Sequence, residues 1–423
     1  ESFLRSYFPA NECLHSIKEI IDWMKSRHQA HLFKVSRIAF EEMDHWHFEN
    51  SSGDLVHPTN RFFRVEALSC KQNFGEVRSW QQPIINQQEI GILGFISKEF
   101  KGVRHFLLQA KMEPGNINTI QLSPTVQATY SNYRKVHKGQ TPLYLGYFLS
   151  SQKRIMVDQL QSEQGTRFLR KRNRNIIIDC KDSIEENENF IWVTLGQLKA
   201  LTALDNHVNM EARSILSCIP ILGNSDLSED IKNQYSSDDF NHKLLSSVFE
   251  KNNVHCTKEE ILQWMTEHKS NLYIRNSYLP LGFIDDGWEA KDNEIIHSSK
   301  KFFSIIAVAV EAPNREVAKW TQPLINSLSP SINGWICRTI NDVLHFLVKI
   351  RLEPGSIDLA ELSPTVATTE GESCISEKIT PPYYEFFVNP PKEQVRHSSL
   401  QSAEGGRFYH DTFKCVILEI DDF

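Results

Sequence analysis

From His105 to Glu113 the chain alternates. Phe106, Leu108, Ala110 and Met112 are apolar, while His105, Gln109, Lys111 and Glu113 are polar and only Leu107 breaks the second set. Positions two apart share a strand face, so the pattern predicts a half-buried strand with one apolar and one mainly polar face. It stops at Glu113-Pro114-Gly115, which predicts a turn, because Pro presets φ and Gly accepts φ > 0. A second alternating run follows, in which Gln121, Ser123, Thr125, Gln127 and Thr129 oppose Leu122, Pro124, Val126 and Ala128. Two neighbouring strands with small hydroxyl and amide groups on one face make a wall for a polar ligand such as a sugar. The same pattern also fits a sheet face that meets only water.

The stretch occurs twice. HFLLQAKMEPGNINTIQLSPTVQAT at 105–129 answers HFLVKIRLEPGSIDLAELSPTVATT at 345–369. The offset of about 240 positions holds without a gap from Phe62/Phe302 to Ile177/Ile417, at roughly 30 % identity. A long unit present twice means a duplicated domain rather than a solenoid. The second repeat keeps His345, Arg351, Glu353, Ser363, Thr365 and Thr369 on the polar face, which favours the ligand wall, although a duplicated scaffold also repeats.

Helical spacing of Ile17, Ile20, Ile21 and Met24 predicts a helix over 12–28, with a counterpart over 258–268. A short strand and a polar hairpin reaching His57 or His297 follow in each repeat, and 61–68 and 301–310 read as strands. In EVRSWQQPIIN (76–86) and EVAKWTQPLIN (316–326) the Pro removes a ladder donor and restricts Gln82 and Gln322, so an irregular segment is expected. Trp80 and Trp320 there either stack on a nucleobase or plug a core. Arg170, Arg172 and Arg174 alternate on a predicted strand, and Arg167 follows a Gly turn. Guanidinium groups bind phosphate bidentately; a charged edge strand gives the same pattern. The second repeat keeps only Arg407 of these, with His410, Thr412 and Lys414 at the other positions. Residues 191–219 read as helical, with a Leu195/Leu198/Leu201/Leu204 stripe, a break at Asp205-Asn206 and a second helix bearing Arg213; 223–239 is linker-like.

A chain of 423 residues should hold two or three domains. Its net charge of −7 gives no reason to expect nucleic acid. No apolar run reaches membrane-spanning length, and the first residues lack a signal pattern. None of the eight cysteines forms CxxC or zinc spacing, so reduced cysteines in a cytoplasmic protein are expected. The sequence shows no P-loop, G-x-G-x-x-G, HExxH, nucleophile elbow or Nudix metal-binding helix. No cofactor is therefore expected, metal, nicotinamide or flavin. Chemistry by side chains alone suits proton transfer and elimination beside a carbonyl.

QLSPTVQATYSNY, QSEQGTRFLRKRNRN, VNMEARSILSCIP and the paired EPG and SPTV segments resemble the sugar nucleotide 2,3-dehydratases, over nearly the whole chain. The resemblance implies an α+β fold of two tandem Nudix-like α/β/α modules from internal duplication. They would span 1–195 and 246–423, joined by a helical linker at 196–245. It implies a homodimer acting on TDP-4-keto-6-deoxyglucose, with two nucleotide-sugar pockets per subunit, one catalytic, and a downstream 3-ketoreductase. Where the first repeat has Gln127, Tyr130, Asn132 and Tyr133, the second has Ala367, Glu370, Glu372 and Ser373, and Ala403 replaces an expected acid. The first repeat is thus expected to supply the working pocket. Trp320, Arg351, Thr365 and Arg407 would mark a relic or regulatory one, unless strands are exchanged between the modules.

In the implied reaction a base removes the C3 hydrogen beside the C4 ketone, an enolate forms, and the C2 hydroxyl leaves. Lys111 is expected to stabilise the enolate or to act as base, with Glu113 the rival base and Tyr130 or Tyr133 the acid. Thr125, Gln127, Thr129 and Asn132 would hold sugar hydroxyls, with Gln82, Gln109 and Ser123 beside them. Arg167, Arg170, Arg172 and Arg174 would hold the diphosphate, and Trp80 the thymine. His105 either lines the pocket or is structural, since both repeats carry it. Two other classes fit parts of the pattern: a non-catalytic nucleotide-sugar sensor, and a Mg²⁺-dependent diphosphate hydrolase, which the missing metal box opposes.

Overall fold

The computed structural model describes residues 2–8, 12–59, 62–74, 78–129, 141–220, 236, 238–250, 252–313, 317–328, 331–368 and 381–421. The fold is mixed α+β, and its elements recur at the same offset as the sequence. Helix Ile17–Ala30 answers Lys258–Asn271, and helix Leu145–Leu149 answers Glu385–Val388. Each long helix begins at a capping box, Ser16 with Glu19 and Thr257 with Glu260. The first helix therefore starts later than its apolar spacing suggests, because the Ser16 side chain accepts from Glu19 N–H and ends the irregular lead-in.

In the first repeat seven strands form a mixed sheet. Its order is 154–162, 172–179, 91–100, 103–112, 190–194, with 120–123 beside 103–112 and 126–128 beside 91–100. In the second repeat 395–402, 412–419, 331–340 and 343–346 follow the same order, with 366–368 beside 331–340. Both faces of the first sheet are covered. Phe106 and Leu108 pack under Ile20, Met24, Leu198 and Ile215. Leu107, on the face expected to be polar, packs with Tyr144, Leu145 and Phe148. That face is therefore a core at one end and polar only towards Lys111.

Two expectations are corrected here. Phe190–Thr194 is a strand paired with 103–112, Thr194 opposite His105, and only Leu195–Thr202 and Met210–Ser217 are helical. Thr194 is the N-cap of the first of these helices, so the Leu stripe begins just where the strand ends. The Trp-x-Gln-Pro segments lie inside regular strands, 78–86 and 319–326. Pro83 is tolerated because strand 168–169 pairs with 78–86 only at Ile85 and Asn86, leaving the outer edge opposite Pro83 without a ladder to break.

The repeats are interlocked. Strand Ile274–Leu279 of the second repeat pairs with 64–72 of the first, and Lys34–Ile38 of the first pairs with 304–311 of the second. One core draws on both: Phe63, Val65 and Phe168 pack with Phe303, Ile305 and Phe408, and the Phe168 and Phe408 rings meet edge to face at 5.9 Å. Each repeat keeps one sheet and core of its own, while the sheets around 64–72 and 304–311 each take a strand from the other repeat and enclose the shared core.

Candidate active site

The Glu-Pro-Gly turns are the interlock's bolts. Gly115 N–H donates to Gly405 O at 2.7 Å, and Gly115 O accepts from His410 N–H at 2.7 Å. The other turn mirrors this: Gly355 N–H donates to Gly165 O, and Arg170 N–H donates to Gly355 O, both at 2.6 Å. A Cβ on Gly115 would stand 1.5 Å from Phe408 O, and one on Gly355 1.8 Å from Phe168 O. Glycine is required there by space, not by φ.

Each turn thus carries the strand residues before it up to a loop of the other repeat, and the two carboxylates diverge at that point. Glu353 Oε2 accepts from Gly165 N–H at 2.6 Å and its other oxygen pairs with Arg351. Glu113 Oε1 instead accepts from Lys111 Nζ and from Gln127 Nε2, each at 3.0 Å. Glu113 Oε2 is buried without a hydrogen-bond partner among the described residues.

A third element completes the cluster. Strand 120–123 holds the segment before helix Met210–Ser217, with Leu122 N–H donating to His207 O at 2.9 Å and Asn209 N–H to Leu122 O at 2.8 Å. Asn209 caps that helix, and the next turn brings in Glu211, 3 % exposed. Gln127 Nε2 donates to Glu211 Oε1 at 2.5 Å, while Glu211 Oε2 is buried with no partner among the described residues. Burial, then the nearby Glu113 and Glu404 charges, push the Glu211 carboxyl well above its usual range, against the pull of Lys111. The proton is thus held more tightly than on an ordinary carboxyl.

The second repeat contributes Glu404 and Arg407. A Cβ on Gly406 would lie 3.5 Å from Glu404 Oε1 and 3.9 Å from Glu113 Oε1, so both carboxyls flank the same backbone. Burial and Glu113 raise the Glu404 pKa, opposed by Arg407, Lys171 and Lys111. Burial and Glu404 push Glu163 up to about 8, and Asn173 donates to it. The guanidinium of Arg407 lies over the Phe63 ring at 4.3 Å and donates to Gln87 Oε1 at 2.9 Å. Arg167 makes the reciprocal crossing, over the Phe303 ring at 4.0 Å. Arg407 acts on the Glu404, Glu163 and Lys171 charges, and Arg167 acts on Asp411 across the junction.

The other sequence-predicted residues scatter. Trp80 Nε1 donates to Gln82 Oε1 at 2.9 Å, and Gln82 Nε2 to Thr166 O at 2.8 Å; Trp320, Gln322 and Gly406 repeat the arrangement. Trp80 packs with Leu68, Cys70 and Ile84, so these pairs hold the junction loops. Thr125 Oγ1 bridges Leu107 O and Ile96 N–H, as Thr365 bridges Leu347 O and Ile336 N–H, which makes both strand staples. His105 is fully buried, bonded to Val103 O and set edge-on to Phe100. Six residues from Lys111, roughly 20 Å along the strand, it lies outside the cluster. Burial lowers its pKa. Ser123 Oγ donates to Gln127 Oε1 at 3.1 Å; Gln109 and Thr129 are half-buried. Tyr130, Asn132 and Tyr133 lie outside the described residues.

Arg172 pairs with Asp358 at 3.0 Å and Arg174 bidentately with Asp158. The alternate residues Lys171 and Asn173 face the cluster instead, so the basic run presents its other phase inward. Arg170 is exposed at φ 50° and lines a cavity of about 510 Å³ with Leu169, Arg275, Tyr278 and Ile357, apart from Lys111, Glu113 and Glu211. Glu211, Glu404, Glu163 and Lys171 were not legible as site residues. The motif holding Glu211 was visible, but helical spacing alone gives no reason to choose Glu211 over Arg213.

A family model described as NDP-hexose 2,3-dehydratase matches residues 17–219 and 258–423. A Saccharopolyspora spinosa protein named dTDP-4-dehydro-6-deoxy-alpha-D-glucopyranose 2,3-dehydratase is 41 % identical over 409 residues, 95 % of this chain and 82 % of that one. Proteins of the same name from Amycolatopsis orientalis and Streptomyces violaceoruber are 38 % and 37 % identical, over 96 % and 95 % of this chain and 82 % and 87 % of theirs.

Proposed function

The chain belongs to the NDP-hexose 2,3-dehydratase family, and from that premise we propose that the Lys111–Glu113–Glu211 cluster removes water across C2 and C3 of TDP-4-keto-6-deoxy-D-glucose. The protein is a carbon–oxygen lyase. Its substrate needs three functions: a base for the C3 hydrogen, a charge for the C4 enolate oxygen, and an acid for the C2 hydroxyl. The observation that carries the reading is two buried carboxyls bridged by one amide and set in different surroundings. Glu113 is ion-paired with Lys111 at 3.0 Å, whereas burial and like charge raise the Glu211 pKa.

Glu113 takes the C3 proton, and the electron pair moves into the C4 carbonyl. Lys111 meets the charge that develops on that oxygen. The pair then returns to form the C2–C3 double bond as the C2–O bond breaks, and Glu211 protonates the departing hydroxyl to give water. The 3-hydroxy enone tautomerises to the 3,4-diketo-2,6-dideoxy sugar. Separating acid and base by environment lets two residues of one type share the work.

The same reading takes 1–195 and 246–423 as two Nudix-like modules from duplication, joined by 196–245. The recurrence of elements supports it, with strands 34–38 and 274–279 exchanged. The Gln127/Ala367 difference and the structural use of Glu353 favour the Lys111 site as the catalytic one. The site remains composite, since Glu404 and Arg407 come from the second module. A homodimer in the cytoplasm that hands its product to a 3-ketoreductase fits this reading, because a vicinal diketone is labile. Among the described residues no helix is long and apolar enough to cross a membrane.

The test is incubation with TDP-4-keto-6-deoxyglucose, a 3-ketoreductase, NADPH and EDTA, read by mass spectrometry. The expected product has lost one water and gained two hydrogens. Substrate that binds but returns unchanged would overturn the reading in favour of a nucleotide-sugar sensor.

A further inference from the structure

We infer that Gln127 is a positioning residue that fixes the two carboxyls of the site relative to each other, rather than a contact for a sugar hydroxyl. This rests on the acid–base roles proposed above. One amide nitrogen, Gln127 Nε2, donates to Glu113 Oε1 at 3.0 Å and to Glu211 Oε1 at 2.5 Å. Its two hydrogens are thereby both assigned to carboxyls. The amide oxygen is occupied as well, by Ser123 Oγ at 3.1 Å and Asn209 Nδ2 at 3.4 Å. Those two donors fix which way round the amide sits, so the nitrogen and not the oxygen faces the carboxyls.

The geometry leaves Gln127 no spare donor or well-directed lone pair for a ligand. It leaves each carboxyl one oxygen, Glu113 Oε2 and Glu211 Oε2, buried and without a hydrogen-bond partner among the described residues. The bridge ties together three elements distant in sequence: the end of strand 103–112, strand 126–128 and the start of helix 210–217. Base and acid must act on adjacent carbons of one substrate, and a small error in their separation is costly. The second repeat has Ala367 at this position, where Glu353 is bound to Gly165 instead. The bridge is present where the carboxylate is turned to the cluster and absent where it is spent on the junction.

The test is Gln127→Met, which keeps the length and removes both donors, with kcat and KM measured in the reductase-coupled assay. The expected result is a fall in kcat of roughly 10–100-fold with KM within about twofold. In D₂O, exchange at C3 should slow less than dehydration, because Lys111 still holds Glu113 while Glu211 loses its place. Unchanged kcat overturns the inference, and so does a raised KM at unchanged kcat, which would mark a direct sugar contact. Should Gln127→Met fail to fold, Ser123→Ala tests the same idea by freeing the amide to flip, with the same kcat-only loss expected at roughly 3–10-fold. Glu113→Gln and Glu211→Gln are run alongside. If either turns over normally, the acid–base reading fails whatever Gln127 shows; if both are inactive and Gln127→Met is not impaired, only the positioning role fails.

Discussion

Glu353 accepts a hydrogen bond from the backbone N–H of Gly165, in the other repeat, at 2.6 Å. Its counterpart Glu113 spends its carboxylate on Lys111 and Gln127. Equivalent residues in equivalent turns have thus been given different work, and substitution should separate them. Glu353→Ala is expected to lower stability by about 1–3 kcal/mol, with kcat within about threefold of wild type. Glu113→Ala is expected to lower kcat by roughly 10²–10⁴-fold. Urea unfolding and the coupled assay on both variants check this. Equal kinetic losses would mean that the second carboxylate is catalytic too.

Lys111 has two measurable effects. If it is the charge proposed to face the enolate oxygen, its loss in Lys111→Met should cost roughly 10²–10³-fold in kcat. Because Lys111 also draws the Glu211 pKa down, the variant should hold the acid's proton to higher pH. The alkaline limb of its kcat profile should then lie above that of the wild type. A limb that stays in place would argue that Glu211 is not the proton donor.

The bolts should be intolerant of a methyl group. Gly115→Ala places Cβ 1.5 Å from Phe408 O, and Gly355→Ala 1.8 Å from Phe168 O. Since the neighbour is backbone in each case, about 3 kcal/mol or more should be lost at either site. Thermal unfolding of the two variants provides the measurement, and a midpoint within a few degrees of wild type would contradict the interlock. Gly102→Ala makes a poor control despite open space around it, because φ there is 82°. Gly146→Ala, with neither clash nor positive φ, is the suitable one.

Stability should fall as the pH rises from about 4.5 to about 8. The Glu163 pKa is raised from 4.5 to about 8 by burial and by Glu404, with Lys171 and Arg407 opposing. A carboxyl whose folded value is raised binds its proton more tightly in the native state. Its contribution is complete below the unfolded value of 4.5 and is lost as pH rises to about 8. The urea midpoint should decline across that window, and Glu163→Gln should flatten the decline. An unaltered slope in the variant would show that Glu163 ionises as an ordinary carboxyl.

The chain's own pattern determined a good deal. The 240-residue offset, the capped helices at 17 and 258, most strands and the Lys111–Glu113 pair were all legible, because helix and strand periods and turn chemistry are local. Sequence spacing places Lys111 and Glu113 on one face, and the structure leaves them ion-paired there. Other readings stayed open in the sequence, and only packing shows what the side chains touch. Thr125 and Thr365 staple strands, and Trp80, read either as a stacking platform or a core plug, packs in a core and braces a loop through Gln82. The strand at 190–194 was hidden in a helical run because its β-branched residues precede the Thr194 cap by only a few positions. What no local pattern contains is the exchange of strands 34–38 and 274–279. That exchange, with the Gly115–Gly405 and Gly355–Gly165 contacts, brings Glu404 of the second repeat, which Arg407 stabilises, beside Glu113. It also assembles Glu113, Glu211 and Glu404, nearly 300 residues apart at the extremes, in one low-dielectric place. Their mutual repulsion and desolvation raise the Glu211 and Glu404 pKa values there, and such forces depend on distance in space, which the order of residues does not specify.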